Sequence, residues 1–247
     1  VARPLHPFDA MHGTDTGGLI PAERLRTGSP ADAHVTAYYA IAPSILRSLV
    51  ELWQTMDGSS PIPQTTFIDI GAGKGRAMLL ASEFGFRAVL GVELNPKLAA
   101  IAQDNLHRVG MARSVDPTAE PISPAEVLVQ DAAALKLPHG PCVLFLFHPF
   151  EDGLLRRFLR RMEAQQNARQ EPQLDLIYGN AEHAKVLDAH PAFDRLWFGR
   201  IPMSPADHVA DLAEIAEQKE YGSTGDEECA IYRYAGRSRC GVSESLY

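Results

Sequence analysis

The residues of this chain best suited by type and spacing to chemistry are Asp69-Ile70-Gly71-Ala72-Gly73-Lys74-Gly75-Arg76. They follow a short apolar run, TTFIDI, and precede a helical pattern over Arg76–Phe84. Glycine at such a place permits a tight turn and lets a ligand approach the backbone without meeting a Cβ. The helix beyond offers free N–H groups in its first turn. Three glycines at alternate positions exceed what a bare strand-to-helix turn requires. The spacing is GxGxG, and Arg76 stands where a dinucleotide loop would carry its third glycine. No GK[ST] follows, which excludes a Walker A loop. Asp69, two residues before the first glycine, would repel a pyrophosphate and suits a ligand that carries a cationic group.

Two further acids fall at the ends of apolar runs. Glu93, in Gly91-Val92-Glu93-Leu94-Asn95-Pro96, comes 22 residues after Gly71, at a strand tip where an acid accepts from ribose hydroxyls. Asp131, in Gln130-Asp131-Ala132, is placed to read an adenine amino group, with a turn or helix cap as the plain alternative. Taken together, FIDIGAGKGR, GVELNP and VQDA resemble the motifs of class I S-adenosylmethionine (SAM)-dependent methyltransferases, over about residues 65–235. The resemblance implies a SAM site of Asp69, Gly71, Ala72, Gly73, Glu93, Leu94, Asp131 and Ala132, with S-adenosylhomocysteine (SAH) as product. It also implies an α/β three-layer sandwich whose seven-stranded, mostly parallel sheet has the order 3-2-1-4-5-7-6, the last strand antiparallel. DIGAGKGR followed by GVELNP is similar to the branch that includes protein-lysine methyltransferases, which makes a protein acceptor the alternative to a small molecule. Two readings of other classes stay open. One is an NAD-dependent oxidoreductase, against which the misplaced third glycine and Asp69 argue. The other is a non-catalytic protein that binds an adenosyl ligand, against which the intact motifs argue.

The fourth apolar run ends in Phe147-His148-Pro149-Phe150-Glu151. This resembles the [DNS]PP[YF] motif of amino-methyltransferases but departs from it, with His148 in place of Asn or Asp and a single Pro, so amine or amide methylation is not indicated. An imidazole there can accept a proton from a hydroxyl, thiol or ammonium, since histidine titrates near 6.5. His148 is the catalytic candidate, and a hydrogen-bonding strand-end residue is its plain alternative. Phe150 walls the acceptor or belongs to the core. The polar, Gly-rich segment Asp9–Gly18 reads as a lid, with Thr14, Asp15 and Thr16 lining the site and Tyr38 and Tyr39 closing it; an exposed arm is the alternative. Lys74 and Arg76 are placed to meet a carboxylate, with pairing of Arg76 to a local acid as the alternative. The nine histidines form neither HExxH nor a paired Cys/His cluster, so no metal site is expected.

These residues need a scaffold, and the patterning supplies one. Strands are read at residues 65–70, 88–92, 126–130, 142–147 and 174–178, alternating with helices at 76–84, from Asn95-Pro96 onward, at 152–165 and near 182–188. Continuous apolar strands alternating with helices signal a parallel sheet covered on both faces. Two more strands, 195–201 and 229–234, flank an acidic helix over 205–221 and pair as a hairpin. An amphipathic helix over Tyr38–Trp53 precedes the first strand, and residues 111–124 read as loop. The expected division is a cap over 1–57, a SAM-binding domain over 64–236 and a frayed tail over 237–247.

Composition bounds the rest. A chain of 247 residues, 45% apolar and 22% charged, is an ordinary globular protein. The net charge of −8 argues against a general nucleic-acid binder. Arg156, Arg157, Arg160 and Arg161 read as a solvated helix face. No apolar run reaches the roughly 20 residues of a membrane span. The N-terminal residues lack the apolar stretch of a secretory signal. Three cysteines without CxxC spacing fit a reduced, cytoplasmic chain. Oligomeric state is left open.

Overall fold

The computed structural model describes residues 5–26, 36–114, 116, 118–169, 173–216 and 222–236. Seven strands form one sheet: β1 Thr66–Ile70, β2 Ala88–Glu93, β3 Ala125–Val129, β4 Cys142–Phe147, β5 Leu174–Gly179, β6 Phe193–Pro202 and β7 Asp226–Tyr234. Their order is β3-β2-β1-β4-β5-β7-β6. The pairs β3/β2, β2/β1, β1/β4 and β4/β5 are parallel, and β7 runs antiparallel to both its neighbours. This is the expected order, with the last strand reversed.

Eight helices are described: α1 Pro7–His12, α2 Ala22–Leu25, α3 Pro43–Gln54, α4 Arg76–Glu83, α5 Pro96–Ser114, α6 Asp152–Asn167, α7 Ala184–Asp188 and α8 Pro205–Ile215. Every residue of β1 and β5 is buried, including the one acid each carries, Asp69 and Asp175. Alternate residues along the strands feed two core layers. Phe67, Phe145, Ile177 and Ile231 pack with Ile45, Leu46, Leu49 and Trp53 of α3 and with Met78 and Leu80 of α4. Ile68, Leu144, Leu176 and Tyr232 pack with Leu155, Phe158 and Met162 of α6. Asp69 shares the parity of Phe67, so it lies on the α3/α4 face. The N-terminal residues Phe8 and Ile41 belong to that same layer.

Two boundaries differ from the sequence reading for identifiable reasons. The helix expected from Tyr38 begins at Pro43, with Ala42 extended before it. Proline disfavours helical geometry in the residue that precedes it and suits a first turn. Tyr38 instead bridges to Ile20. The loop expected from residue 111 begins later, because α5 continues to Ser114, and Arg113 pairs with Glu83 at 3.2 Å. The acidic helix ends at Ile215; residues 217–221 and the tail 237–247, with Cys240, lie outside the described residues.

One buried polar contact fixes α3 to the sheet. The Asp175 carboxylate in β5 accepts from Trp53 Nε1 at 2.7 Å and from Arg233 of β7 at 2.7 and 2.8 Å. No described helix is long and apolar enough to cross a membrane. The four arginines of α6 are exposed, as expected.

Candidate functional site

The carboxyl ends of β1, β2, β3, β4 and β5 share one edge of the sheet, and the candidate residues gather there. The loop after β1 turns back onto β2: the Gly71 and Ala72 amides donate to Val92 O at 2.9 and 3.1 Å. Glu93 then pins the loop. Its Oε2 accepts from the Gly73 amide at 2.8 Å and its Oε1 from the Asn95 amide at 2.7 Å. Burial pushes the Glu93 carboxyl up, and those amides pull it back only in part. Gly73 has φ +54, and a Cβ there would sit 2.2 Å from the Tyr38 ring. Only glycine satisfies both conditions.

Asp69 is 3% exposed, and its carboxylate receives no hydrogen bond among the described residues. Burial, and then the charge of Glu93, push its pKa up to about 8. Burying a carboxylate without a donor is costly, and at neutral pH the raised pKa keeps the group protonated. Asp69 lines an open crevice together with Gly71, Ala72, Tyr38, Tyr39, Ile41, Arg76, Phe145 and Phe147.

The N-terminal segment is strapped over the loop by charge and hydrogen bonds. The buried Asp9 carboxylate accepts from Thr14 Oγ1 (2.7 Å), from Thr16 N (2.8 Å) and Oγ1 (2.6 Å), and from Gly17 N (2.8 Å). Arg76, 2% exposed, donates from Nε to Thr16 Oγ1 at 2.8 Å and reaches Glu214 of α8 at 3.4 Å. Lys74 Nζ bonds Asp15 Oδ1 and Gly17 O, both at 2.8 Å. Tyr38 OH donates to Thr16 O at 2.5 Å. Lys74 and Arg76 thus meet carboxylates supplied by distant parts of the chain. Asp15 and Thr16 hold the strap to the loop through Lys74 and Arg76, Thr14 braces the strap internally on Asp9, and Tyr38 and Tyr39 line the crevice itself.

Of the other acids and their neighbours, Asp131 is exposed and caps the 3-10 turn Ala132–Ala134, accepting from Ala133 N at 2.7 Å. It stands two residues beyond Val129, the β3 partner of Glu93. Leu94, at the tip of β2, is 43% exposed, and Ala132 is buried. These positions put an apolar side chain and a carboxylate on either side of the Glu93 tip.

At the end of β4, His148 adopts φ +45, a left-handed geometry uncommon for a non-glycine residue. Its neighbour Phe147 lines the crevice, and Pro149 lies 3.1 Å from where a Gly71 Cβ would be. His148 Nδ1 is 3.7 Å from Glu182 Oε2, and its ring stacks on His183 at 5.2 Å. Phe150 turns away from the crevice to pack on Phe158 of α6 at 5.4 Å. Glu182 and His183 were not singled out in the sequence. The usable signal was positional: β4 and β5 are adjacent, and both run into histidine-bearing turns.

No family model and no curated protein matches this sequence. Similar solved structures include a magnesium protoporphyrin IX methyltransferase from Synechocystis PCC 6803 with bound SAM. It is 13% identical, with 77% of this chain and 79% of that one covered, at a TM-score of 0.47. An N-methyltransferase from Bradyrhizobium japonicum WM9 with SAH is 13% identical over 77% of this chain and 85% of that one, at 0.48. An RNA methyltransferase from Salinibacter ruber with SAH is 14% identical over 80% and 92%, at 0.47.

Proposed function

We propose that this chain is a SAM-dependent methyltransferase that binds its methyl donor at the carboxyl ends of β1, β2 and β3. The observation that carries the reading is Asp69, a buried carboxylate without a donor that lines the crevice beside Gly71. An α-ammonium group supplies the charge and the hydrogen bonds that Asp69 lacks. Glu93 accepts from the ribose hydroxyls, Leu94 and Ala132 flank the adenine, and Asp131 accepts from its amino group. Gly71, Ala72 and Gly73 bring backbone close to the ligand.

Bound SAM supplies a methyl group already activated by its sulfonium, so alignment with an acceptor lone pair provides a large part of the rate. Phe145, Phe147 and Tyr39 exclude water from the crevice. His148, at the adjoining strand end, accepts a proton from the acceptor or orients it by hydrogen bond. The net charge of −8 and the N-terminal cap favour a small-molecule acceptor over a protein side chain.

The test is thermal unfolding with SAM, SAH and NADH on wild type and Glu93→Ala. A ligand at about 100 times its Kd adds ~2.7 kcal/mol, which is roughly 5–10 °C for a domain of this size. Shifts of that order with SAM and SAH, reduced in Glu93→Ala and absent with NADH, are expected. A shift with NADH alone would overturn the reading.

A further inference from the structure

We infer that His148, Glu182 and His183 form a binding site for a divalent transition-metal ion beside the crevice. Each of the three offers a ligand atom, and these atoms all lie within 4.8 Å of one another. Two imidazoles and one carboxylate are a donor set that suits Zn²⁺ with further positions open to water or substrate. Ligands on a tetrahedral Zn²⁺ stand roughly 3.4 Å apart, given metal–ligand bonds of about 2.0–2.1 Å. The pair His148 Nδ1 and Glu182 Oε2, at 3.7 Å, is already close to that spacing. Glu182 is 61% exposed in its side chain, free to swing the remaining distance.

Two further observations point to a ligand. His148 Nδ1 is buried from solvent and has no hydrogen-bond partner among the described residues. An imidazole nitrogen left in that state is short of one partner, and an ion supplies it. His183 has the complementary arrangement: its Nδ1 is held by Asp152 Oδ1 at 2.5 Å. A carboxylate holding one ring nitrogen is the usual support for a histidine that binds metal through the other. The backbone adds pre-organisation, since β4 and β5 are parallel neighbours and deliver both turns to one place. The absence of HExxH spacing does not bear on this cluster, because its ligands come from two strand ends 34 residues apart.

The ion-binding claim stands apart from methyl transfer. Only its use rests on the proposed function: an ion here takes an acceptor hydroxyl or thiol into an open position and lowers its pKa, so that the lone pair is available at neutral pH. His148 then acts as a ligand, and the acceptor proton leaves to solvent.

The test uses the full chain after chelator treatment, titrated with Zn²⁺ against a chromophoric competitor. One ion per chain with a Kd at or below about micromolar is expected. His148→Ala and His183→Ala should each weaken binding at least tenfold, as should Glu182→Gln, a surface change that leaves folding intact. Asp152→Asn, which alters the support of His183 and a solvent-exposed pair with Arg156, should weaken it roughly 10–100-fold. Co²⁺ in place of Zn²⁺ gives a visible absorption band that the same variants abolish. Zn²⁺ affinity unchanged in Glu182→Gln and His183→Ala would overturn the inference, placing any ion on other histidines. SAH titration of the same samples reports on the donor site separately, so failure of one claim is distinguishable from failure of the other.

Discussion

The carboxyl of Asp69 is held near 8 by burial first and by Glu93 second. Its folded pKa lies above the unfolded one, so its contribution to stability is complete below about pH 4 and is lost as pH rises through about 8. A ligand ammonium reverses the preference and draws the carboxyl into its ionised form. Binding therefore releases a proton between those limits, and affinity rises with pH. The α-ammonium of SAH, a free amino acid, stays protonated across this range. The expected result is a SAH Kd that falls roughly tenfold between pH 6 and pH 7, flattened in Asp69→Asn. A pH-independent Kd in wild type would contradict this. The residues of the loop were legible because the motif is contiguous in sequence. The bond from the Gly73 amide to Glu93 and the Glu182–His183 pair were not, since they depend on which strand ends become neighbours.

The strap shows what polarity alone leaves undecided about an element. Thr14, Asp15 and Thr16 read as site-lining residues from their chemistry, but Thr14 and Thr16 spend it on the Asp9 carboxylate and Asp15 on Lys74. Burial pushes the Asp9 carboxyl up, and the Thr16 and Thr14 donors with Arg76 more than cancel it, leaving its pKa below the ordinary value. A depressed carboxylate stabilises above its unfolded pKa, so the strap should hold at neutral pH and loosen as pH falls below about 3.8. Asp9→Ala removes the acceptor of four hydrogen bonds beside a buried arginine. A local cost of ~2–4 kcal/mol follows, which is at least about thirtyfold faster exchange at amides 14–18. Hydrogen exchange read by mass spectrometry checks it. Protection equal to wild type would show that the apolar contacts of Leu25 and Tyr38 with Leu98 hold the strap by themselves.

At the scale of the molecule, the sheet was readable because the inner strands are short, mostly apolar runs and most crossovers carry a helix. The reversed β7 followed from two terminal strands without a crossover helix of the usual kind between them. What stayed hidden was contact between remote positions: Trp53, Asp175 and Arg233 join through one carboxylate, and Arg76 meets Glu214 across 138 residues. The start of α3 was misplaced because apolar spacing was followed back past Pro43, where the chain changes direction. The central claim is that the carboxyl edge of the sheet holds the methyl donor. The most direct test is the structure of the full chain crystallised with SAH. The account expects the amino group of the ligand at Asp69, its ribose hydroxyls at Glu93 and its adenine between Leu94 and Asp131. SAH bound elsewhere, or a ribose without contact to Glu93, would contradict it.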